Sequence, residues 1–148
     1  MRFSTRTRYG LRFLLQLAAL PKDGRLQLSQ VAKMEQISSG YLEQIVRALR
    51  PLGILRGVRG SGGGYQLSRA PADINLEDVF QNLEGDLGPV HCLHNKCTRS
   101  TACTTRAFWE NLDKHIRRYL RSITLQDLLE RSEPTLQCFP ATKVNKEK

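Results

Sequence analysis

The sequence predicts a mainly α protein: a winged helix-turn-helix with a two-stranded wing, followed by one long helix toward the C-terminal end. Three observations carry this. Apolar residues recur at helical spacing in three successive segments within the first fifty residues. A glycine-dense, basic turn between two short β-type runs comes directly after them, and a long amphipathic run begins near residue 104. No apolar run approaches the roughly 18 residues that a membrane-spanning helix needs.

In the first segment Tyr9, Phe13, Leu14, Leu17 and Ala18 share one helical face, and Pro21 with Gly24 ends it. Leu28, Val31, Ala32 and Met34 suit a short second helix that Ser29 starts. Ser38 and Ser39, both good N-cap residues, precede a third helix with Tyr41, Leu42, Ile45, Val46 and Leu49 inward and Gly40, Glu43, Gln44, Arg47 and Arg50 outward. Pro51 and Gly53 close it. Ile54 to Val58 and Tyr65 to Ser68 flank the turn Arg59-Gly60-Ser61-Gly62-Gly63-Gly64, which reads as a hairpin with a basic tip.

Asn75 caps a further short helix through Leu83, and from Glu84 the pattern dissolves into a loop. In the long helix Ala107, Phe108, Leu112, Ile116, Tyr119, Leu120 and Ile123 form a stripe that needs a partner surface. Thr124-Leu125-Gln126-Asp127 resembles a capping box that starts a last short helix. The expected division is therefore a DNA-binding domain over 1–83 and a cysteine loop over 84–103. A helix for pairing with a short closing helix would span 104–131, and a disordered tail 132–148.

Charge supports the first of these assignments. The chain of 148 residues carries a formal net charge of +9. Residues 1–72 hold twelve basic and three acidic residues, whereas residues 73–148 hold eleven of each, so the whole excess lies in the first half. Segregation of this kind suits a half that faces a polyanion such as DNA phosphate. A helix entering the major groove reads base edges with side chains near its N-terminus, and hydroxyls and free N–H groups there hold phosphates. Ser38, Ser39, Gly40, Tyr41, Glu43, Gln44 and Arg47 supply that mixture, with Arg59 and Gly60 at the wing tip. The competing reading of the glycines, a nucleotide-binding phosphate loop, lacks the Gly-Lys-Ser/Thr ending and is followed by a strand. No Ser-His-Asp arrangement, metallohydrolase motif or carboxylate pair emerges, so no enzyme and no small-molecule substrate are expected. Arg12 and Gln16 interrupt the apolar stretch Leu11 to Leu20 and no cleavage pattern follows, which reads as a cytoplasmic chain without an export signal.

Cys92, Cys97 and Cys103 form C-x4-C-x5-C in a polar segment at the foot of the long helix. The spacing fits neither the Cys-x2-Cys pair of a zinc knuckle nor a thioredoxin motif. Irregular gaps suit a loop wrapped around an iron-sulfur cluster, with zinc, bare thiols for redox sensing and incidental placement as the other readings.

Arg2, Arg8-Tyr9, Ser38 with Tyr41-Leu42-Glu43-Gln44, Val58-Arg59-Gly60 with Gly62-Gly63-Gly64-Tyr65, Cys92, Cys103 and Ile123-Thr124-Leu125 together resemble the bacterial IscR-like family of iron-sulfur winged-helix regulators. The likeness runs over about residues 1–130. It implies a homodimer paired mainly through the long helix, binding pseudo-palindromic double-stranded promoter DNA and sensing cluster supply, iron, nitric oxide or redox state. It adds Arg2 to the DNA-contacting set and gives Cys92, Cys97 and Cys103 as ligands of an iron-sulfur cluster, with 2Fe–2S favoured over 4Fe–4S. This sequence departs from the pattern at two positions. The His that completes some ligand sets, three residues after the third Cys, is Arg106 here, and the acidic residue used by other members near position 8 is Arg8. The fourth ligand stays open among His94, His91, Cys138, a partner-subunit carboxylate and an exogenous thiol. Two alternatives stand beside this reading: a DNA-binding regulator that uses its cysteines as a metal-free thiol sensor, and a small iron-sulfur redox protein.

Overall fold

The computed structural model describes residues 3–136, so Arg2, Cys138 and residues 137–148 lie outside the described residues. Helix α1 (Thr5–Ala18) starts at Ser4, whose hydroxyl accepts from Thr7 N–H. Helix α2 (Leu28–Glu35) starts at Gln27 rather than at Ser29. The Gln30 side chain reaches back to accept the Gln27 N–H at 3.0 Å, the N3-to-N-cap half of a capping box. Helix α3 (Ser39–Leu49) is capped by Ser38, whose Oγ accepts from Tyr41 N–H at 3.1 Å, and a 3-10 turn over Arg50–Leu52 ends it at Pro51 as expected.

Strands β1 (Leu55–Val58) and β2 (Gly64–Leu67) pair antiparallel, from Leu55 opposite Leu67 to Val58 opposite Gly64. Leu26, in the link before α2, pairs with Tyr65 through two backbone hydrogen bonds of 3.0 and 2.8 Å and so supplies a stub of third strand. The wing is thereby fixed to the helix-turn-helix by backbone as well as by side chains. Helix α4 (Leu76–Glu84) is capped by Asn75, whose Oδ1 accepts from Asp78 N–H at 3.0 Å.

The first core joins α1, α2, α3, α4 and the wing. Phe13, Leu14, Val31, Leu42, Ile45, Leu49, Ile54, Val79 and Leu83 are all fully buried in it. Burying such side chains stabilises by about 1.5–3 kcal/mol each relative to exposure. A smaller second core, Leu76, Phe80, Leu87, Leu120 and Ile123, joins α4 to the end of α5 (Arg106–Ser122). Helix α6 (Leu125–Leu136) returns against α1, and its start is tied to the start of α4: Leu76 N–H donates to Ile123 O and Leu125 N–H to Ile74 O. The capping box is present, with Thr124 N–H donating to Asp127 Oδ2 at 2.7 Å and Asp127 N–H to Thr124 Oγ1 at 3.2 Å. Helix α6 runs five residues past the expected boundary at 131 and includes Pro134.

The expected stripe on α5 divides. Leu120 and Ile123 are buried, but Phe108 is 60 % exposed, Tyr119 61 % and Leu112 36 %, while Asp113, off the stripe, is buried. The end of α5 packs on the second core and Asp113 meets the cysteine loop, while Phe108, Leu112 and Tyr119 face outside.

Candidate functional site

The outward face of α3 carries Ser39, Gly40, Glu43, Gln44 and Arg47, all exposed, while Leu42, Ile45, Val46 and Leu49 anchor the opposite face in the core. The 3.6-residue period alone produces this division. Gly40 has open space where a side chain would stand. Two predicted members are placed differently from the rest. The Ser38 hydroxyl is engaged in the cap. Tyr41 faces α1: its hydroxyl shares a 2.9 Å hydrogen bond with Thr5 Oγ1, and its ring meets that of Tyr9 edge-on at 6.2 Å.

Arg59 and Gly60 are exposed at the wing tip, where Gly60 has φ +102°, a conformation an L side chain rarely adopts. Of the basic residues in the first half, Arg12 is paired with Glu35 at 2.9 Å and Arg69 donates to Leu52 O. Arg47, Arg50, Arg56 and Arg59 make no ion pair among the described residues and are free to meet phosphate. Charge that neutralises phosphate must be of this unpaired kind.

Cys92 sits in a 3-10 turn, His91–Leu93, and is exposed; Cys97 and Cys103 are half-exposed, and all three are free thiols. The Thr105 hydroxyl, 3.5 Å from Cys103 Sγ, lowers the Cys103 thiol pKa, helped by the backbone N–H groups of Thr105 and Arg106 and by the charge of Arg106. No three His, Cys, Asp or Glu side chains gather as a metal site among the described residues. Of the positions left open for a fourth ligand, His91 Nδ1 lies 2.6 Å from Asn95 Nδ2. His94 has both ring nitrogens against carboxylates, Asp86 Oδ1 at 2.6 Å and Asp113 Oδ2 at 3.7 Å. Arg106 is paired with Glu110 at 2.8 Å.

Sequence reasoning missed the network to which His94 belongs. Asp113 accepts from Arg117 Nε at 3.0 Å, Arg117 reaches Gln81 Oε1 at 3.1 Å and Glu77 Oε1 at 3.8 Å, and Arg121 donates to Glu77 Oε1 at 3.0 Å. The i,i+4 pair Asp113–Arg117 is legible in the sequence, but its meeting with His94 and with α4 needs the fold. An apolar groove of 540 Å³ also lies open beside α5, lined by Phe3, Leu11, Phe80, Ile116, Tyr119 and Leu128.

A capped helix with an exposed polar and basic face, followed by a basic glycine wing, defines a winged-helix DNA-binding regulator. The chain belongs to the Rrf2 family of iron-dependent transcriptional regulators, whose pattern residues 3–131 match. It is 37 % identical over 131 residues, 87 % of each chain, to Protein rrf2 of Nitratidesulfovibrio vulgaris. Its fold is similar to that of CymR, the global cysteine regulator of Bacillus subtilis, with TM-score 0.73 and 33 % identity over 88 % of this chain and 98 % of that one. It is similar also to IscR of T. potens, with TM-score 0.72 and 33 % identity over 95 % of this chain and 94 % of that one. No helix among the described residues is long and apolar enough to cross a membrane.

Proposed function

We propose that this chain is a homodimeric transcriptional regulator that reads a pseudo-palindromic promoter site with α3 and the wing. In this reading it adjusts that binding to iron-sulfur or redox status through a cluster held by Cys92, Cys97 and Cys103. The observation that carries the reading is the pairing, on one chain, of an unpaired basic reading face with three accessible thiols on one loop at the foot of α5. The donor set suits an iron-sulfur cluster: the thiols are free, their gaps are irregular, and the Cys103 thiolate is favoured by its neighbours. When bound, a cluster supplies a redox couple and a sensitivity to iron and oxidants. In the described conformation the loop does not gather three donors, so its closing on a guest is part of the proposal. Exposed Phe108, Leu112 and Tyr119 give a second copy an apolar face to cover, and a dimer must set its two α3 helices about 34–36 Å apart along the duplex.

A metal-free thiol sensor is the second reading. It is favoured by the lowered Cys103 pKa and by the likeness to a regulator named for cysteine. Anoxic purification with iron and sulfide quantified, together with visible absorption, separates the two. Iron and sulfide in near-equal amounts with charge-transfer bands are expected. A colourless sample with fully titratable thiols favours the sensor, and zinc at one per chain sinks the cluster. On the DNA side, Arg47→Ala is expected to weaken binding by about 10- to 100-fold at a base-edge contact. Arg59→Ala is expected to lower the salt slope by about one. Mobility shifts unchanged by both substitutions would remove these contacts.

A further inference from the structure

His94 stands two residues after Cys92 and three before Cys97, and both its ring nitrogens face carboxylates. Nδ1 is 2.6 Å from Asp86 Oδ1 and Nε2 is 3.7 Å from Asp113 Oδ2. The seat is built for it. Asp86 Oδ1 also accepts the Gly88 N–H at 2.9 Å, and a Cβ on Gly88 would stand 2.8 Å from His94 Nδ1. Asp113 passes the contact to Arg117, and Arg117 spans from α5 to Glu77 and Gln81 on α4.

At its other end α4 carries Glu84, whose Oε1 accepts from Ser4 N–H at 2.7 Å and from Ser4 Oγ at 2.9 Å. Ser4 caps α1, and the next residue, Thr5, holds the Tyr41 hydroxyl at the start of α3. One helix, buried along Leu76, Val79, Phe80 and Leu83, therefore touches the cysteine loop's anchor at one end and the recognition helix's neighbour at the other. Packed helices and ion-pair networks are the kind of contiguous elements that can carry coupling between two sites.

We infer that His94 is a positioning residue and not a cluster ligand. It latches the cysteine loop to α5 through Asp86 and Asp113, and the chain Arg117–Glu77–α4–Glu84–Ser4 carries the loop's state to the N-terminus of α3. This deepens the proposed function and rests on it.

The test uses full-length protein with Cys138→Ser, so that only the loop thiols react. An inverted-repeat duplex that this protein selects from a random library serves as the probe. Its affinity is measured with the cysteines reduced and after alkylation by N-ethylmaleimide, for the parent, His94→Ala, Gly88→Ala, Ser4→Ala and the pair His94→Ala/Ser4→Ala. Iron and sulfide uptake and resonance Raman spectra are taken in parallel on the parent and its variants with Cys138 retained. The parent's affinity is expected to change about fivefold or more on alkylation, the lower end of ordinary coupling between sites. In His94→Ala and Gly88→Ala that ratio should shrink to within about twofold of unity. The pair should lose no more of it than either single variant, while iron content and spectrum stay those of the parent. Gly88→Ala moves the ring without deleting it and keeps the test alive if His94→Ala does not fold.

An unchanged ratio in either variant, additive losses in the pair, or a parent insensitive to alkylation overturns the relay. So does loss of iron with a shifted spectrum in His94→Ala, which would make it a ligand. A parent that takes up no iron or sulfide sinks the cluster reading instead, and the alkylation ratios then decide the relay alone.

Discussion

The head of the molecule, α1 to α4 with the wing, and the long helix α5 are both amphipathic, yet they end in different states. In the head the apolar stripe of α3 meets others on both sides: Leu42, Ile45 and Leu49 are closed in by Phe13 and Leu14 of α1 and by Val79 and Leu83 of α4. Along the seventeen residues of α5 only Asp113 and Leu120 are buried, and Phe108 and Tyr119 remain more than half exposed. Periodicity reports that a face is apolar; it does not report whether the same chain covers it. The core around α3 is closed within one chain, whereas the open face of α5 beside an apolar groove is the surface that the proposed second copy would cover.

The sharpest way to break this contrast is a pair of truncations. Leu42→Ala is expected to cost about 2–5 kcal/mol in urea denaturation, since a buried leucine leaves a cavity. Leu112→Ala is expected to stay within about 0.5 kcal/mol in dilute, dissociated protein. Equal losses would mean that α5 is as much a part of the single-chain core as α3. Next in size, Phe108→Ala with Tyr119→Ala should leave the head's unfolding unaltered while weakening self-association by about tenfold or more in analytical ultracentrifugation. A monomer–dimer equilibrium indifferent to both changes would place the dimer elsewhere.

Ser38→Ala tests the head on a finer scale. Loss of the hydrogen bond to Tyr41 N–H should cost about 1 kcal/mol and fray the first turn of α3, which hydrogen exchange at Tyr41 and Leu42 would report. The smallest effect is one of pH. The Thr124 hydroxyl and N–H hold the Asp127 carboxyl below its ordinary value, against a small opposing effect of burial. A carboxyl whose pKa is lower folded than unfolded adds stability above its unfolded value, about 3.9, and that stability is lost as pH falls through the folded value. Protection at the start of α6 should therefore decline on acidification below about pH 4, and Asp127→Asn should remove the dependence. A decline of equal size in Asp127→Asn would assign it to another group.

Most of the head was legible in the sequence because its signals are local: N-caps at Ser38 and Asn75, Pro51 after α3, glycines at the turn, and a period-3.6 face that puts Glu43, Gln44 and Arg47 outside. The misplaced start of α2 also has a local cause, since glutamine is seldom read as a cap and Gln30 completes it by reaching back. Contacts between residues far apart in the chain were not legible. Leu26 beside Tyr65 turns a hairpin into a braced wing. Thr5 shares a hydrogen bond with Tyr41 and ties the start of α3 to α1. Asp86, His94, Asp113 and Arg117 meet only because the cysteine loop folds back over α4 and α5.

Short-range patterning of apolar, capping and turn residues thus determined by itself the class of fold, the face of α3 that looks outward and the presence of three thiols on one loop, because each depends on neighbours within a few positions. Tertiary structure alone decided which apolar stripe is covered and where His94 points, and which arginines stay unpaired. Those outcomes depend on residues brought together from separate elements of the fold, and sequence spacing carries no record of that meeting.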